Sequence, residues 1–304
     1  MDVTTTGFRF PAVRFVAGER LSSANYARAL GLEDTLLNRA SEARGAGYRG
    51  RLVPPAMLGF HLAVAADALV DDLGFTWGKT LNLGIDVDWA GVPVTEEDLL
   101  EAHARVAAAW ERSAKDGGTR QFLRVQTDFD LEGRTVCRWN VLFTERRLGE
   151  PVQGSDGEAG EDEGFGFFGQ TRRSPRPAGR PEARVDTPVV DRLSLARLSV
   201  GLDNPDPLHV DDDVARAAGF EQVIGHGAAV VGLLHEPVRT WAGIETPVRL
   251  KTRQSAPFGI GDTLTAEAGD VTCDDGGSTW VRTTVARQDD VLIGTADIYL
   301  HTSS

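Results

Sequence analysis

The sequence predicts an α+β fold in which two antiparallel sheets each wrap around a buried helix. Two sets of runs, within residues 81–144 and 248–300, show the apolar periodicity of β-strands. Turn-forming Gly and Asp residues separate the runs, which is typical of antiparallel hairpins. Each set follows a helical stretch and an apolar stretch, so the order of elements repeats. The repeat predicts two similar units in one chain.

The first unit is predicted to open with a helix from Ser22 to about Leu37, with Ser22 or Ser23 as its N-cap. A strongly apolar stretch from Ala56 to Leu73 follows. Because it contains Asp67 and is too short to span a bilayer, we predict a buried core helix there. The predicted strands are 81–89, 99–113, 120–130 and 136–144, with turns at 115–118 and 132–133.

The second unit repeats this order. Its predicted strands are 248–254, 263–271, 279–287 and 291–300, with turns at 274–277 and 289–290. The two units also match locally, since Gly47-Tyr48 corresponds to Gly219-Phe220 at an offset of 172 residues (219 minus 47). At the same offset Pro54-Pro55 falls on His226-Gly227.

Residues 150–187 separate the units and are rich in Gly, Pro and charge, with little to bury. This composition predicts a flexible linker. We therefore expect an N-terminal domain at 1–149 and a C-terminal domain at 188–304.

The composition predicts a soluble, cytoplasmic protein of bacterial type. Hydrophobic residues make up 41% of the chain, and the net charge of −13 argues against a nucleic-acid partner. No apolar run is long enough for a membrane span, and Cys137 and Cys273 show no metal-ligand spacing. The six histidines show no such spacing either. We expect no metal, no cofactor and no membrane contact.

Residues 198–236 hold the candidate site. Asn204-Pro205-Asp206-Pro207 predicts a rigid turn that ends near His209, which suits a general acid or base. His226-Gly227 then begins an apolar run of small residues, predicted to be a buried helix. The free N–H groups of Gly227 or Ala228 at its start could hold a carbonyl oxygen that gains negative charge.

This segment resembles the MaoC-like, or (R)-specific enoyl-thioester hydratase, family of hot-dog folds. Residues 202–211, then Ala215 with Gly219-Phe220, then residues 223–228 follow the family pattern S-G-D-x-N-P-[LI]-H-x-D, A-x-x-x-G-[FY], P-I-x-H-G-M without gaps. Residues 47–55 share the GYxGxxxPP segment of the inactive first domain of double-hot-dog dehydratases. The resemblance implies a double hot-dog chain with a degenerate first unit.

The acidic and amide positions of the motif are exchanged here. The family's catalytic Asp falls on Asn204 and its Asn falls on Asp206. An amide cannot exchange a proton as a carboxylate does, so Asp206 could supply the missing carboxylate, with Asp203 a weaker candidate. Alternatively these residues only form the turn. His209 could likewise be a plain capping histidine.

A substrate-binding role is implied for His226 and Ala228 at the oxyanion corner. Arg249, Lys251 and Arg253 share one strand face by period-two geometry and could meet the phosphates of a pantetheine carrier. They could equally form a solvated sheet edge.

The resemblance implies reversible hydration of a 2-enoyl thioester, or dehydration of a 3-hydroxyacyl thioester, in fatty-acid or polyketide-type metabolism. The substrate would be an acyl-CoA or an acyl carrier protein thioester, and the chain could form a homodimer. The Asn204 exchange leaves two alternatives open: cyclisation by addition of a substrate hydroxyl to the enoyl group, and acyl binding without catalysis.

Overall fold

A computed structural model describes residues 2, 4–64, 66–75, 80–113, 118–147, 184–273 and 279–300. The strands are β1 (Val13–Val16), β2 (Thr80–Trp89), β3 (Leu99–Ser113), β4 (Thr119–Leu131), β5 (Arg134–Arg147), β6 (Arg184–Asp186), β7 (Val248–Gln254), β8 (Leu264–Cys273), β9 (Thr279–Arg287) and β10 (Leu292–Leu300). The helices are α1 (Ala17–Arg20), α2 (Ser23–Leu30), α3 (Thr35–Asn38), α4 (Ala40–Gly45), α5 (Ala66–Asp71), α6 (Arg192–Leu202), α7 (Asp212–Ala217) and α8 (Gly227–Ala242). Single 3₁₀ turns cover Pro55–Met57, Phe60–Leu62 and Pro207–His209.

The strands form one antiparallel sheet in the order β1-β3-β4-β5-β2-β7-β10-β9-β8-β6. Each half has the same strand order from its outer edge to the centre, with β1 to β5 of the first half matching β6 to β10 of the second. The halves meet where β2 pairs with β7, with Val87 opposite Leu250. The predicted strands are confirmed to within three residues at their ends. The second half packs its strands against the long helix α8, which is the predicted hot-dog arrangement.

The internal repeat is visible in backbone conformation as well as in sequence. Gly47 and Gly219, 172 residues apart, have φ angles of 95° and 92°. Gly31 and Asp203 are also 172 residues apart, and both are left-handed C-caps of a helix, with φ of 69° and 52°. The two halves therefore share a helix end and the turn after it.

Two of the helix predictions for the first half are wrong. The helix predicted from Ser22 to Leu37 ends at Leu30, because Gly31 adopts the left-handed conformation that terminates helices. Ser22 is confirmed as its N-cap, accepting the Asn25 N–H at 3.4 Å.

The helix predicted from Ala56 to Leu73 is broken into two 3₁₀ turns and the short α5. Extended backbone at Gly59 separates the two turns. Every residue from Leu52 to Leu58 is buried. The apolar composition of this stretch therefore indicated burial, but it lacked the 3.6-residue period that is typical of a helix. The buried helix predicted after His226 is confirmed as α8.

The predicted hairpin turns at 132–133 and 289–290 are confirmed, with positive φ at Glu132, Gly133 and Asp290. Residues 115–117 and 274–277 of the other two predicted turns lie outside the described residues. So does most of the predicted linker, but residues 184–187 belong to the second half, because β6 pairs with β8 there. In the described part of the chain, no helix is long and apolar enough to cross a membrane.

The two halves also pack through α8 of the second half and α2 of the first. Tyr26 is 1% exposed, and a Cβ atom added at Gly232 would lie 1.5 Å from its hydroxyl oxygen. Gly232 therefore makes the room that Tyr26 occupies.

We predict that Gly232→Ala lowers the free energy of unfolding by about 1–3 kcal/mol, the usual range for overpacking a core. Urea denaturation measures it. Tyr26→Phe in the same background should restore part of the loss, because the hydroxyl is the nearest atom. Gly45→Ala is the matched control, since nothing lies within 4 Å of its added Cβ atom. Equal stability of the two alanine variants would contradict the packing argument.

Candidate active site

A cavity of about 620 Å³ lies between the two halves. Its walls in the first half are largely apolar and include Phe60, Val64, Leu69, Phe75, Leu83, Ile85, Trp139 and Phe143. Its polar end is formed mainly by the second half, by residues 203–209, Gly227 and Gln254. The structure thus brings the turn and the start of α8 to one cavity, as predicted.

His209 is fixed by its turn and by one hydrogen bond. It ends the 3₁₀ turn Pro207–His209, and its Nδ1 lies 2.8 Å from the carbonyl oxygen of Ile224. Because a carbonyl only accepts, Nδ1 carries the proton and Nε2 keeps its lone pair. Burial lowers the pKa of His209, against the opposing effects of the Ile224 hydrogen bond and the charge of Asp206. His209 is therefore a neutral imidazole with one basic nitrogen.

Asp206 lines the cavity, but one carboxylate oxygen has a structural task. Oδ1 accepts the Leu208 N–H at 3.0 Å and so caps the 3₁₀ turn. The first half keeps the same cap 172 residues earlier, where Asp34 accepts the Leu36 N–H at 2.7 Å. A cap that persists in the half without the histidine favours a turn-forming role for Asp206 over the predicted catalytic one.

Asn204 also lines the cavity. Its Oδ1 accepts the Asp206 N–H at 3.3 Å, and its own N–H donates to the Ser199 carbonyl at 2.9 Å. The amide is therefore held in the turn at the position of the family's acid. It offers a hydrogen bond and no titratable proton.

Asp203, the third predicted acid, forms an ion pair with Arg20 of the first half. Arg20 Nε lies 2.5 Å from Asp203 Oδ2. With one oxygen held by a guanidinium, Asp203 is poorly suited to take a proton from a substrate.

His226 does not contact the cavity, so its predicted substrate-binding role is not supported. The ring is fully buried, and Nε2 lies 3.1 Å from the Asn204 carbonyl oxygen and 3.3 Å from Ser199 Oγ. It stacks on the His209 ring with the centroids 3.6 Å apart. Burial and then the neighbouring His209 lower the pKa of His226 well below the ordinary value. His226 thus packs behind His209 as a neutral ring.

Gly227 and Ala228 both line the cavity at the first turn of α8. N–H groups in a first turn lack intrahelical acceptors and carry partial positive charge. A Cβ atom at Gly227 would lie 2.8 Å from Gln254 Nε2, so only glycine lets that side chain approach. The start of α8 therefore offers N–H donors to the cavity, and the oxyanion role stays a prediction.

Arg249, Lys251 and Arg253 share one face of β7, as predicted, but it is the face away from the cavity. None of these three side chains lines the cavity. Arg249 Nε lies 2.6 Å from Asp88 Oδ1. The row belongs to a charged outer sheet face, which does not support the predicted contact with a carrier phosphate.

The polar cavity-lining residues that the sequence analysis did not predict include Arg20, His61 and Gln254. Gln254 follows Arg253, and strand alternation alone would have placed it on the opposite, cavity-facing side. Its Nε2 donates to the Gly227 carbonyl at 3.1 Å. No pattern in the sequence connects Arg20 with Asp203, 183 residues later, or His61 with Leu202, 141 residues later. In the described part of the chain, no cluster of three His, Cys, Asp or Glu residues could hold a metal ion.

The fold and the site define a protein of two hot-dog units, one of which carries the histidine turn beside a helix N-terminus. Residues 196–290 match the family described as MaoC like domain, and residues 5–138 match the FAS1-like, dehydratase domain region. The second half thus carries a MaoC-like domain and the first half matches a dehydratase domain region, and the chain as a whole has the double hot-dog fold. No curated protein sequence matches it significantly.

Solved structures share the fold at low sequence identity. A MaoC-like dehydratase from Phytophthora capsici is 14% identical, with a TM-score of 0.61 over 99% of this chain and 97% of that one. The peroxisomal multifunctional enzyme type 2 from Drosophila melanogaster is 16% identical, with a TM-score of 0.62 over 96% of this chain and 48% of that one. A Mycobacterium tuberculosis protein with a double hotdog fold is 15% identical, with a TM-score of 0.57 over 97% and 95%.

Buried neutral histidines make the stability of this protein depend on pH. Burial lowers the pKa of His235, on α8, to about 3, whereas the unfolded chain binds a proton near the ordinary value of 6.5. Between these two values the unfolded state holds more protons, so the free energy of unfolding falls as pH falls.

We predict that His235→Leu reduces the stability difference between pH 7.5 and pH 5.0 by about 2 kcal/mol, the protonation free energy of one unfolded histidine at pH 5. Urea denaturation at both pH values measures it. An unchanged difference in the variant would show that His235 is not held neutral.

Proposed function

We propose that the chain catalyses reversible hydration of 2-enoyl thioesters, or dehydration of 3-hydroxyacyl thioesters. The observation that carries this proposal is the neutral, fixed His209, which shares a cavity with the free N–H groups at the start of α8. A base and an oxyanion site in one largely apolar cavity suit proton transfer next to a carbonyl.

In the hydration direction, the thioester oxygen accepts a hydrogen bond from the N–H of Gly227. This makes the β-carbon electrophilic. Water adds its oxygen to that carbon while His209 Nε2 takes the proton, and the enolate formed takes the same proton at its α-carbon. In the reverse direction His209 removes the α-proton and returns it to the departing hydroxide. Asn204 holds the water or the hydroxyl through its amide.

The apolar cavity walls of the first half support a place for the acyl tail there. The thioester would be carried by coenzyme A or by an acyl carrier protein, as in fatty-acid or polyketide-type metabolism. The places of Gly227 and Asn204 on the cavity wall support the roles that this scheme gives them.

A second candidate is cyclisation, in which a hydroxyl of the substrate adds to its own enoyl group in place of water. The observation that favours it is the state of the carboxylates near His209. Among the described residues of the polar end, Asp203 pairs with Arg20 and Asp206 caps a turn. Intramolecular addition places less demand on water activation, because the nucleophile is already held close.

We predict that His209→Ala lowers kcat/KM for crotonyl-coenzyme A hydration by about 10²–10⁴-fold, the range for loss of a general acid or base. The loss of enoyl absorbance follows the reaction. Burial lowers the pKa of His209 from the ordinary value of 6.5, so the ring takes up a proton only at a lower pH. The acid limb of the wild-type pH–rate profile should therefore lie below pH 6.5. The matched control is His103→Ala, which removes a half-exposed histidine on β3 away from the cavity and should leave kcat/KM unchanged. Full activity of His209→Ala would end the assignment.

We predict that Asn204→Asp increases the rate of hydration, because it restores a proton-exchanging carboxylate at the family's acid position.

Asp206→Asn should change kcat by less than about threefold, since an amide oxygen caps a turn as well as a carboxylate does. A wild type that loses its activity in Asp206→Asn would instead show that the carboxylate has moved to Asp206. Cyclisation would be established if the wild type does not hydrate crotonyl-coenzyme A but converts a hydroxyl-bearing enoyl thioester to a ring. Tight binding of the thioester without turnover would instead indicate a protein that only binds acyl chains.

A further inference from the structure

We propose that Arg20 and His61, both from the half without the histidine turn, are positioning residues that clamp the end of α6 and thereby fix His209. This inference deepens the proposed function and rests on it for its kinetic consequences. The first half, which lacks the histidine turn, would then position the general base as well as hold the acyl tail.

The first arm of the clamp is a hydrogen bond from His61 to the last residue of α6. His61 Nε2 lies 2.5 Å from the Leu202 carbonyl oxygen. Carbonyls in the last turn of a helix lack intrahelical donors, so an external donor is needed there. Burial lowers the pKa of His61 to about 4, despite the opposing effect of this hydrogen bond. His61 therefore donates as a neutral ring and adds no charge to the cavity.

The second arm is the ion pair between Arg20 and Asp203. Arg20 Nε donates to Asp203 Oδ2 at 2.5 Å, and Nη1 donates to the Leu62 carbonyl at 2.7 Å, beside His61. Asp203 is the left-handed cap of α6, with φ of 52°. The equivalent cap in the first half is Gly31, which has no side chain to hold. The half with the histidine thus carries a carboxylate handle at the point where its turn begins.

Direct contacts connect the clamped cap to His209. Asn204 follows Asp203, and its carbonyl oxygen lies 3.1 Å from His226 Nε2. The His226 ring stacks on the His209 ring at 3.6 Å. A shift of the cap would therefore move Asn204 and loosen the packing that keeps water from His209.

The charged and titratable groups around His209 come from three elements. Asp206 lies on its own turn, His226 begins α8, and His61 reaches it from the first half, with Arg20 and Asp203 beside them. Because burial is the main cause that keeps the His209 pKa low, a loosened turn should move that pKa up toward the ordinary value.

Both clamp residues also line the cavity, so direct contact with the substrate is the competing explanation. The two explanations differ in kinetics. A lost substrate contact raises KM, whereas a displaced general base lowers kcat and moves the acid limb of the pH profile.

The test is a double-mutant cycle with Arg20→Gln and Asp203→Asn, measured as crotonyl-coenzyme A hydration by the purified full chain. We expect each single variant to lower kcat by about tenfold, within the range of coupling between contacting residues, and the double variant to lose little more. KM should stay within twofold, and the acid limb should rise toward pH 6.5. Arg20→Lys, which keeps the charge, should recover part of kcat.

The matched control is Arg282→Gln with Asp297→Asn, an ion pair of similar length (2.7 Å) on the outer sheet face. It should leave kcat and the pH profile unchanged. A rise in KM at constant kcat, or additive losses in the cycle, would overturn the clamp.

A second readout does not depend on activity. The His209 pKa can be read from the NMR titration of ring-labelled histidines, assigned with His209→Gln. We expect it to rise in Arg20→Gln, in Asp203→Asn and in His61→Gln. An unchanged His209 pKa in these folded variants would overturn the inference even if hydration is confirmed. If the wild type does not hydrate enoyl thioesters, the same titration still decides whether the clamp exists. Should Arg20→Gln not fold, Arg20→Lys and His61→Gln carry the measurement.

Discussion

The architecture of this protein follows from the pairing of β2 with β7. This pairing joins two similar half-sheets into one and fixes how the halves face each other. The cavity lies between them: the second half packs the long helix α8 against its strands, while the described residues of the first half have two 3₁₀ turns and the short α5 in the corresponding stretch. Without that pairing, the apolar walls and the polar end of the cavity would belong to separate units.

The two halves use one backbone turn for different purposes. Asp34 caps the short helix α3 and Asp206 caps a 3₁₀ turn in the same way, but Leu37 stands where His209 stands, and Leu32 where Asn204 stands. Both leucines are buried, so the turn of the first half is a piece of core. There Asp34 receives the buried guanidinium of Arg239 from α8 at 2.7 Å. Removing one partner of such a buried pair is costly, which ties the repeated turn to the packing of the halves.

The three histidine rings at the polar end of the cavity are neutral and held in fixed places. Burial keeps the rings of His61, His209 and His226 uncharged, and each uses one ring nitrogen to bond a backbone carbonyl. A proton taken by His209 would enter a poorly solvated cluster and leave readily. That property suits a group that must take up a proton and then return it within one reaction.

Much of this structure follows from local rules that act along the sequence. Alternating side chains located eight strands, Ser22 identified a helix start, and the Asn-Pro-Asp-Pro turn before His209 predicted a rigid loop. The match between Gly47 and Gly219 revealed the repeat, because positive φ at these positions requires glycine in both halves.

The apolar stretch at 56–73 has no helical period. Its composition therefore predicted that the stretch is buried, but not that it forms two 3₁₀ turns and a short helix. Contacts between distant residues could not be predicted from the sequence either. The pairing of Arg20 with Asp203 and the bond from His61 to Leu202 depend on how the halves pack. The repeat, the strands and the histidine turn are all predictable from the amino-acid sequence, since they depend on residues that are close together along the chain. The meeting of polar groups at the cavity is visible only in the folded chain, because sheet pairing brings together residues more than a hundred positions apart.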